Sequence, residues 1–191
     1  MNEPTQSLAG HLLIAMPNLA DPNFWQSVVL LGVHSNDEGA FGLVVNRSLD
    51  IDLQEILEEL GEEVAPGELP GVLGGGPVQP NHGFVLFERG PQEAGDDEIT
   101  VSDSIVLSGN TETLARLTRR PDGTRYFLLL GYAGWHPGQL EREIEENSWV
   151  VAPLDTSILF DVPVEDRWAA ALNSIGIDPG TLVDGGSTEP S

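Results

Sequence analysis

The chain contains no cysteine and no lysine, and each absence removes whole classes of chemistry. Without cysteine there can be no disulfide, thiolate metal site, iron–sulfur cluster or thiol nucleophile. Without lysine there is no Walker phosphate loop, no Schiff-base amine and no kinase-type lysine. The only cations are 8 arginines, set against 31 Asp and Glu, for a formal net charge of −23. Such a surface repels a phosphate backbone, and nucleic-acid binding draws its affinity from Lys and Arg contacts, so direct DNA or RNA binding is disfavoured. The one basic cluster, Arg116, Arg119, Arg120 and Arg125, has Asp122 inside it. Long apolar runs are missing too. Val28 to Val33 is the longest and falls far short of the roughly 20 residues a membrane helix needs. Met1 to Gln6 carries Glu3 and no basic residue, and no signal-peptide pattern follows, so a cytoplasmic protein is expected. In that setting the Asn46-Arg47-Ser48 glycosylation triplet is a chance match.

What is present suits a folded chain. With 191 residues, 40% of them apolar, a single domain over residues 1–183 is expected, followed by a disordered Gly/Ser/Thr/Glu/Pro tail at 184–191. The acidity reads as a solubility device or as adaptation to a salty cytosol. Self-repulsion at −23 predicts that the melting temperature rises as salt screens it. Thermal denaturation at low and high ionic strength checks this, and a flat response would contradict it.

Along the chain, Leu12–Ala15, Val28–His34 and Phe41–Val45 read as strands, the last two forming a hairpin through Ser35–Gly39. Phe24 and Trp25, after an Asp21-Pro22-Asn23 turn, are expected to anchor that turn in the core. Asp52 caps a helix to Leu60 in which Ile56 and Leu60 share a face with Leu53 and Leu57 nearby, Glu55 completes a capping box, and Gly61 stops it. Glu62–Pro70 and Arg89–Glu98 are polar loops. Phe84–Phe87, Ile99–Val101, Ile105–Leu107, Tyr126–Leu130 and Trp149–Ala152 are strands, the fourth of them central. Thr111–Arg119, Gly138–Asn147 and Val164–Ile175 are helices. The sum is a partly antiparallel mixed sheet with about four helices packed around it.

Catalytic signatures are sparse. There is no Gly-x-Ser-x-Gly elbow, no His-Glu-x-x-His helix and no calcium loop, and His11, His34, His82 and His136 are widely separated. No catalytic residue, metal ligand or cofactor is therefore assigned. Gly74-Gly75-Gly76-Pro77 can bring backbone amides to a ligand, or simply form a tight turn. Gly131-Tyr132-Ala133-Gly134-Trp135, read as a strand-to-helix turn, could do the same or plug the core with its indole. Gln139 and Glu143 are spaced to meet on one helix face, with Glu141 on another; a solvated acidic helix is the favoured reading of them. His34 at a strand end could be a general base or a polar strand terminus.

Taken together, these segments resemble the YqgE/AlgH family. Leu12-Leu13-Ile14-Ala15-Met16-Pro17, Asp21-Pro22-Asn23-Phe24 and Ser27-Val28-Val29 match its opening, and Gly39 to Arg47 its second block. Gly75-Gly76-Pro77-Val78, Gly131 to Trp135, Gly138-Gln139-Leu140-Glu141-x-Glu143-Ile144, Asp155-Thr156-x-x-Leu159-Phe160 and Asp166-Arg167-Trp168 follow in order, from about Leu8 to Leu182. The resemblance implies an α+β domain with a strongly curved mixed sheet in a cytosolic bacterial protein. Some members carry the label of transcriptional regulator, and no catalytic residues transfer. This chain departs from the pattern with Ser48 where Pro usually follows the Asn-Arg pair, with Gln79-Pro80-Asn81-His82 lacking an Arg, and near Gly185-Gly186, where a His is usual.

The leading expectation is a non-enzymatic regulatory or adaptor protein that binds a small molecule or a protein partner at Asn46, Gly75, Gly76, Pro77, Tyr132, Trp135 and Gln139. One alternative is an enzyme using His34 with Glu141 or Glu143 as acid and base. Another is a DNA-binding transcriptional regulator, which the charge opposes.

Overall fold

A computed structural model describes residues 7–19, 21–63, 69–89, 98–119 and 124–182. The strands are β1 (His11–Ala15), β2 (Val28–Ser35), β3 (Gly39–Val44), β4 (Leu73–Gly74), β5 (Val78–Glu88), β6 (Glu98–Thr100), β7 (Ile105–Ser108), β8 (Tyr126–Trp135) and β9 (Trp149–Pro153). The helices are α1 (Leu53–Glu59), α2 (Thr111–Arg119), α3 (Gln139–Glu145), α4 (Thr156–Phe160) and α5 (Arg167–Ser174), with 3-10 turns at Pro22–Phe24 and Val164–Asp166. The strands form one curled, half-barrel sheet in the order β6-β7-β5-β8-β3-β2-β1-β9. Every pair is antiparallel except the short parallel match of β4 to β8. The expected mixed, curved α+β sheet is thus the fold.

Side-chain alternation explains why the strands read as unbroken apolar runs. Leu12, Ile14, Val28, Leu30, Leu107 and Leu129 enter one core shared by both halves of the sheet, which α4 and α5 complete. Their neighbours Leu13, Ala15, Val29 and Leu31 enter a second core under α3. Leu128, Val85 and Val106 enter a third under α1 and α2. A strand buried on both faces has no polar side to alternate with.

The β8 strand joins the halves. Its first part pairs with β5 and β4, and its last residues pair with β3. Here the structure corrects the sequence reading: Gly131 to Trp135 is not a strand-to-helix turn but the second half of β8. Gly131 has a φ of +82°, so the strand bends and changes partner at that point instead of ending.

Other corrections have similarly local causes. Trp25 is 68% exposed, and Phe24 alone holds the turn, stacking with Trp135 and meeting Trp149 edge-on at 5.5 Å. Leu60 is 45% exposed because α1 buries Leu53 and Leu57 and closes at Glu59. Asp52 does cap α1, accepting from the Gln54 amide at 3.0 Å, while no reciprocal Glu55 bond forms among the described residues. The Val164–Ile175 helix is broken into a 3-10 turn and α5, whose Trp168, Ala171 and Leu172 are buried as expected. The five-residue α4, capped by Asp155, has too little periodic pattern to be read from sequence. The tail from residue 184, residues 1–6, and the middles of the Glu62–Pro70 and Arg89–Glu98 loops lie outside the described residues. Among those residues no helix is long and apolar enough to cross a membrane.

Candidate functional site

The two glycine blocks meet, and they meet as backbone. Gly75 donates to the Leu130 carbonyl at 2.7 Å and accepts from the Val44 amide at 2.8 Å, which stitches β3 to β8 where the two halves of the sheet diverge. A methyl group at Gly75 would lie 2.3 Å from the Gly131 carbonyl oxygen, and one at Gly76 would lie 2.2 Å from that of Tyr132. These approaches account for Gly75, Gly76 and Gly131 without any ligand. Tyr132 is half-buried among Phe41 and Phe84.

Trp135 and Gln139 belong to a different cluster, centred on Glu143. One Glu143 oxygen accepts from the indole N–H groups of Trp135 at 3.2 Å and Trp149 at 3.0 Å. The other accepts from the Gln139 side chain at 2.9 Å, and Gln139 in turn accepts from the His136 amide. A carboxylate with three donors, two of them buried indoles, is a fastener for the second core.

His34 and Glu141 are brought together, as the enzymatic alternative requires, with Nε2 and Oε1 2.5 Å apart. Yet the Leu8 amide donates to His34 Nδ1 at 2.9 Å, so that nitrogen carries no proton and Nε2 is the donor to Glu141. The His34 side chain is 1% exposed, and neither residue lines any of the four principal clefts. The pair ties the segment at Ser7 and Leu8 to β2 and α3. Burial, the largest single influence, pushes the Glu141 carboxyl upward, but the His34 contact and a backbone hydrogen bond together outweigh it, and the group titrates below its ordinary value. A depressed folded-state pKa contributes stability that is present above the unfolded value, about 4.3, and lost as pH falls through the folded one. Glu141→Gln is therefore expected to show a shallower loss of stability below about pH 4 than the parent chain. Parallel acid titrations of melting temperature check this, and identical slopes would contradict it.

The remaining expected residues, Asn46, Gly76 and Pro77, line the most voluminous of the four clefts, about 570 Å³. Its walls come from Val44 and residues 46–49, from the Gly74–Pro77 block, and from Val164 and Glu165 of the second 3-10 turn, with Asn23 at its edge. Asn46 is itself engaged: its Oδ1 accepts from the Val28 amide and its Nδ2 donates to the Gln26 carbonyl, holding Gln26 at a φ of +52°. The groups left with hydrogen-bonding capacity are its neighbours. The amides of Arg47, Ser48 and Gly76 and the Ser48 hydroxyl have no partner among the described residues. The Arg47 guanidinium has one long contact, 3.5 Å to the Ser27 hydroxyl, and no ion pair among the described residues.

Arg89 and Arg142 likewise form no salt bridge among the described residues, but neither lines this cleft, and the other described arginines are engaged. Arg116 pairs with Glu98, Arg119 with Glu62, and Arg125 with Glu88 and Asp161. The sequence's basic cluster is thereby neutralised as far as it is described; Arg120 and Asp122 lie outside the described residues. A second cation sits close to the cleft. Arg167 is 3% exposed and donates to the carbonyls of Val45 and Val162, with no carboxylate in salt-bridge contact. Burial pulls its pKa down and the nearby charge of Glu165 pushes it back up. Among the described residues no group of His, Asp and Glu side chains is placed to hold a metal.

Sequence reasoning missed Arg47, Ser48 and Glu165 as cleft residues. The signal for Arg47 was its rarity as a cation. Nothing local marked Glu165, which reaches the cleft only because α5 packs on β1.

Comparison with known proteins matches residues 12–180 to the AlgH-like family. A UPF0301 protein of Anaeromyxobacter dehalogenans is 43% identical over 95% of both chains. One from Magnetococcus marinus is 42% identical over 93% of this chain and 94% of its own. The solution structure of the AlgH protein from Pseudomonas aeruginosa superposes with a TM-score of 0.75 at 34% identity, covering all of this chain and 98% of that one. The crystal structure of protein DIP2367 from Corynebacterium diphtheriae, 24% identical with a TM-score of 0.70 over 90% of this chain and 89% of its own, shares the fold.

Proposed function

Starting from this chain's membership of the AlgH-like family, we propose that it is a non-enzymatic binding protein acting in a regulatory role in the cytoplasm. Its ligand, a small molecule or a segment of a protein partner, occupies the cleft between residues 46–49, Gly76-Pro77 and Glu165. The observation that carries this reading is Arg47, a guanidinium with no carboxylate partner among the described residues of a chain of net charge −23, set in the most voluminous of the four clefts. An uncommitted cation beside unpaired amides is a standing invitation to an acceptor.

The acid–base reading loses ground because both ring nitrogens of His34 are committed. A DNA-binding regulator is opposed by the overall charge and by the ion pairs that consume Arg116, Arg119 and Arg125. Regulation through a bound ligand or protein partner needs neither.

The test is a thermal-shift screen against metabolites, nucleotides and short peptides, run on the parent chain and on Arg47→Gln. Because Arg47 makes no ion pair, the variant is expected to fold with a melting temperature within about 2 °C of the parent, as surface changes of about 0.5 kcal/mol do. Ligand-induced stabilisation should disappear in it. Hits that stabilise both proteins equally would place binding elsewhere.

A further inference from the structure

The same cleft holds two opposite charges that do not satisfy each other. Arg47 and Glu165 both line it, and neither forms an ion pair among the described residues. They come from different walls, Arg47 from the segment after β3 and Glu165 from the turn before α5. Between them the lining is largely apolar, supplied by Val44, Leu49, Pro77 and Val164. A ligand that was only anionic would gain Arg47 and the amides of Ser48 and Gly76 but would face Glu165. A purely cationic one would meet Arg47.

We propose that the cleft takes a zwitterion, a free amino acid or short peptide with an apolar side chain, its carboxylate on Arg47 and the neighbouring amides and its ammonium on Glu165. The inference rests on the cleft being a ligand site and adds the class of ligand. A planar carboxylate matches the guanidinium fork bidentately, while an ammonium needs only a carboxylate oxygen. Like charges placed opposite a wrong ligand exclude it, so the two walls select by repulsion as well as attraction. A volume of about 570 Å³ lies within the usual range for small-molecule sites.

The experiment is a backbone-amide NMR titration of the full chain with leucyl-leucine, with its N-acetylated form and with its C-terminal amide. Leucyl-leucine is expected to shift Arg47, Ser48 and Gly76. Removing either terminal charge should weaken it about tenfold, the scale of one charge-assisted hydrogen bond. The crossed variant decides the assignment. In Glu165→Gln, acetylating the amino group should no longer matter; in Arg47→Gln, amidating the carboxylate should no longer matter. An acetylated peptide that binds the parent chain as well as the free one, at the same amides, overturns the zwitterion and leaves the cleft as an anion site. No shift at those amides with any of the three probes also overturns it. The binding reading itself falls only if the ligands found by screening map away from the cleft.

Discussion

Replacing Gly76 by alanine is expected to cost about 3 kcal/mol or more, lowering the melting temperature by at least about 6 °C. Two effects add. The residue has a φ of +152°, outside the region that L side chains favour, which costs on the order of 1–3 kcal/mol. The new methyl group would also lie 2.2 Å from the carbonyl group of Tyr132, which is strand backbone and cannot rotate aside. Over-packing of that kind typically adds about 1–3 kcal/mol. Gly61 supplies the control. It too has positive φ, +77°, but nothing lies within 4 Å of its absent side chain, so Gly61→Ala should cost only the backbone share, about 1 kcal/mol. Equal losses at the two positions, measured by denaturant unfolding, would show that the contact of the glycine block with β8 is not what demands Gly76.

The second large effect is at Glu143. Removing it with Glu143→Ala leaves the indole N–H groups of Trp135 and Trp149 and the amide of Gln139 without their acceptor. Trp135 and Trp149 are 6% and 1% exposed, so water cannot easily replace the carboxylate. At about 1–3 kcal/mol for each orphaned buried donor, a loss of about 2–4 kcal/mol is expected, with a shift in tryptophan emission. Glu143→Gln keeps one acceptor oxygen and should retain most of the stability. If alanine and glutamine behave alike, the indole network is not what holds α3 on the sheet.

These two expectations also mark how far the sequence could be read. The hairpin of β2 and β3, the central position of β8 and the helices α2 and α3 follow from local pattern, because turn residues and apolar period are contained in a short window. The glycine blocks were visible as special, but their meaning was not. Whether Gly75 and Gly76 face a ligand or another strand depends on Gly131, more than fifty residues away, and on β8 continuing through a bend where the sequence suggests a stop. Glu143 and Gln139 were legible as neighbours on one helix face. That they look inward to two tryptophans required knowing that Trp149 and Trp135 converge across the sheet. Trp135 and Gln139 were thus expected at a rim and instead lie in the fastening of the second core. His34 and Glu141 were paired correctly, yet the Leu8 amide that fixes the ring's tautomer comes from a segment with no motif. The cleft is the least legible feature. It is built from three segments distant in sequence, and its uncommitted group, Arg47, stood one residue beyond the Asn46 that sequence singled out.

The proposed functional surface is the Arg47 cleft, whereas Gly75 and Gly131 beside it and the Glu143 and His34 clusters are structural. The measurement that tests it most directly is amide chemical-shift mapping of the labelled full chain against a small-molecule fraction from a bacterial lysate. The account predicts perturbations concentrated at Arg47, Ser48, Gly76 and Glu165, absent in Arg47→Gln. Perturbations centred on His34 and Glu141 with the cleft silent would contradict it.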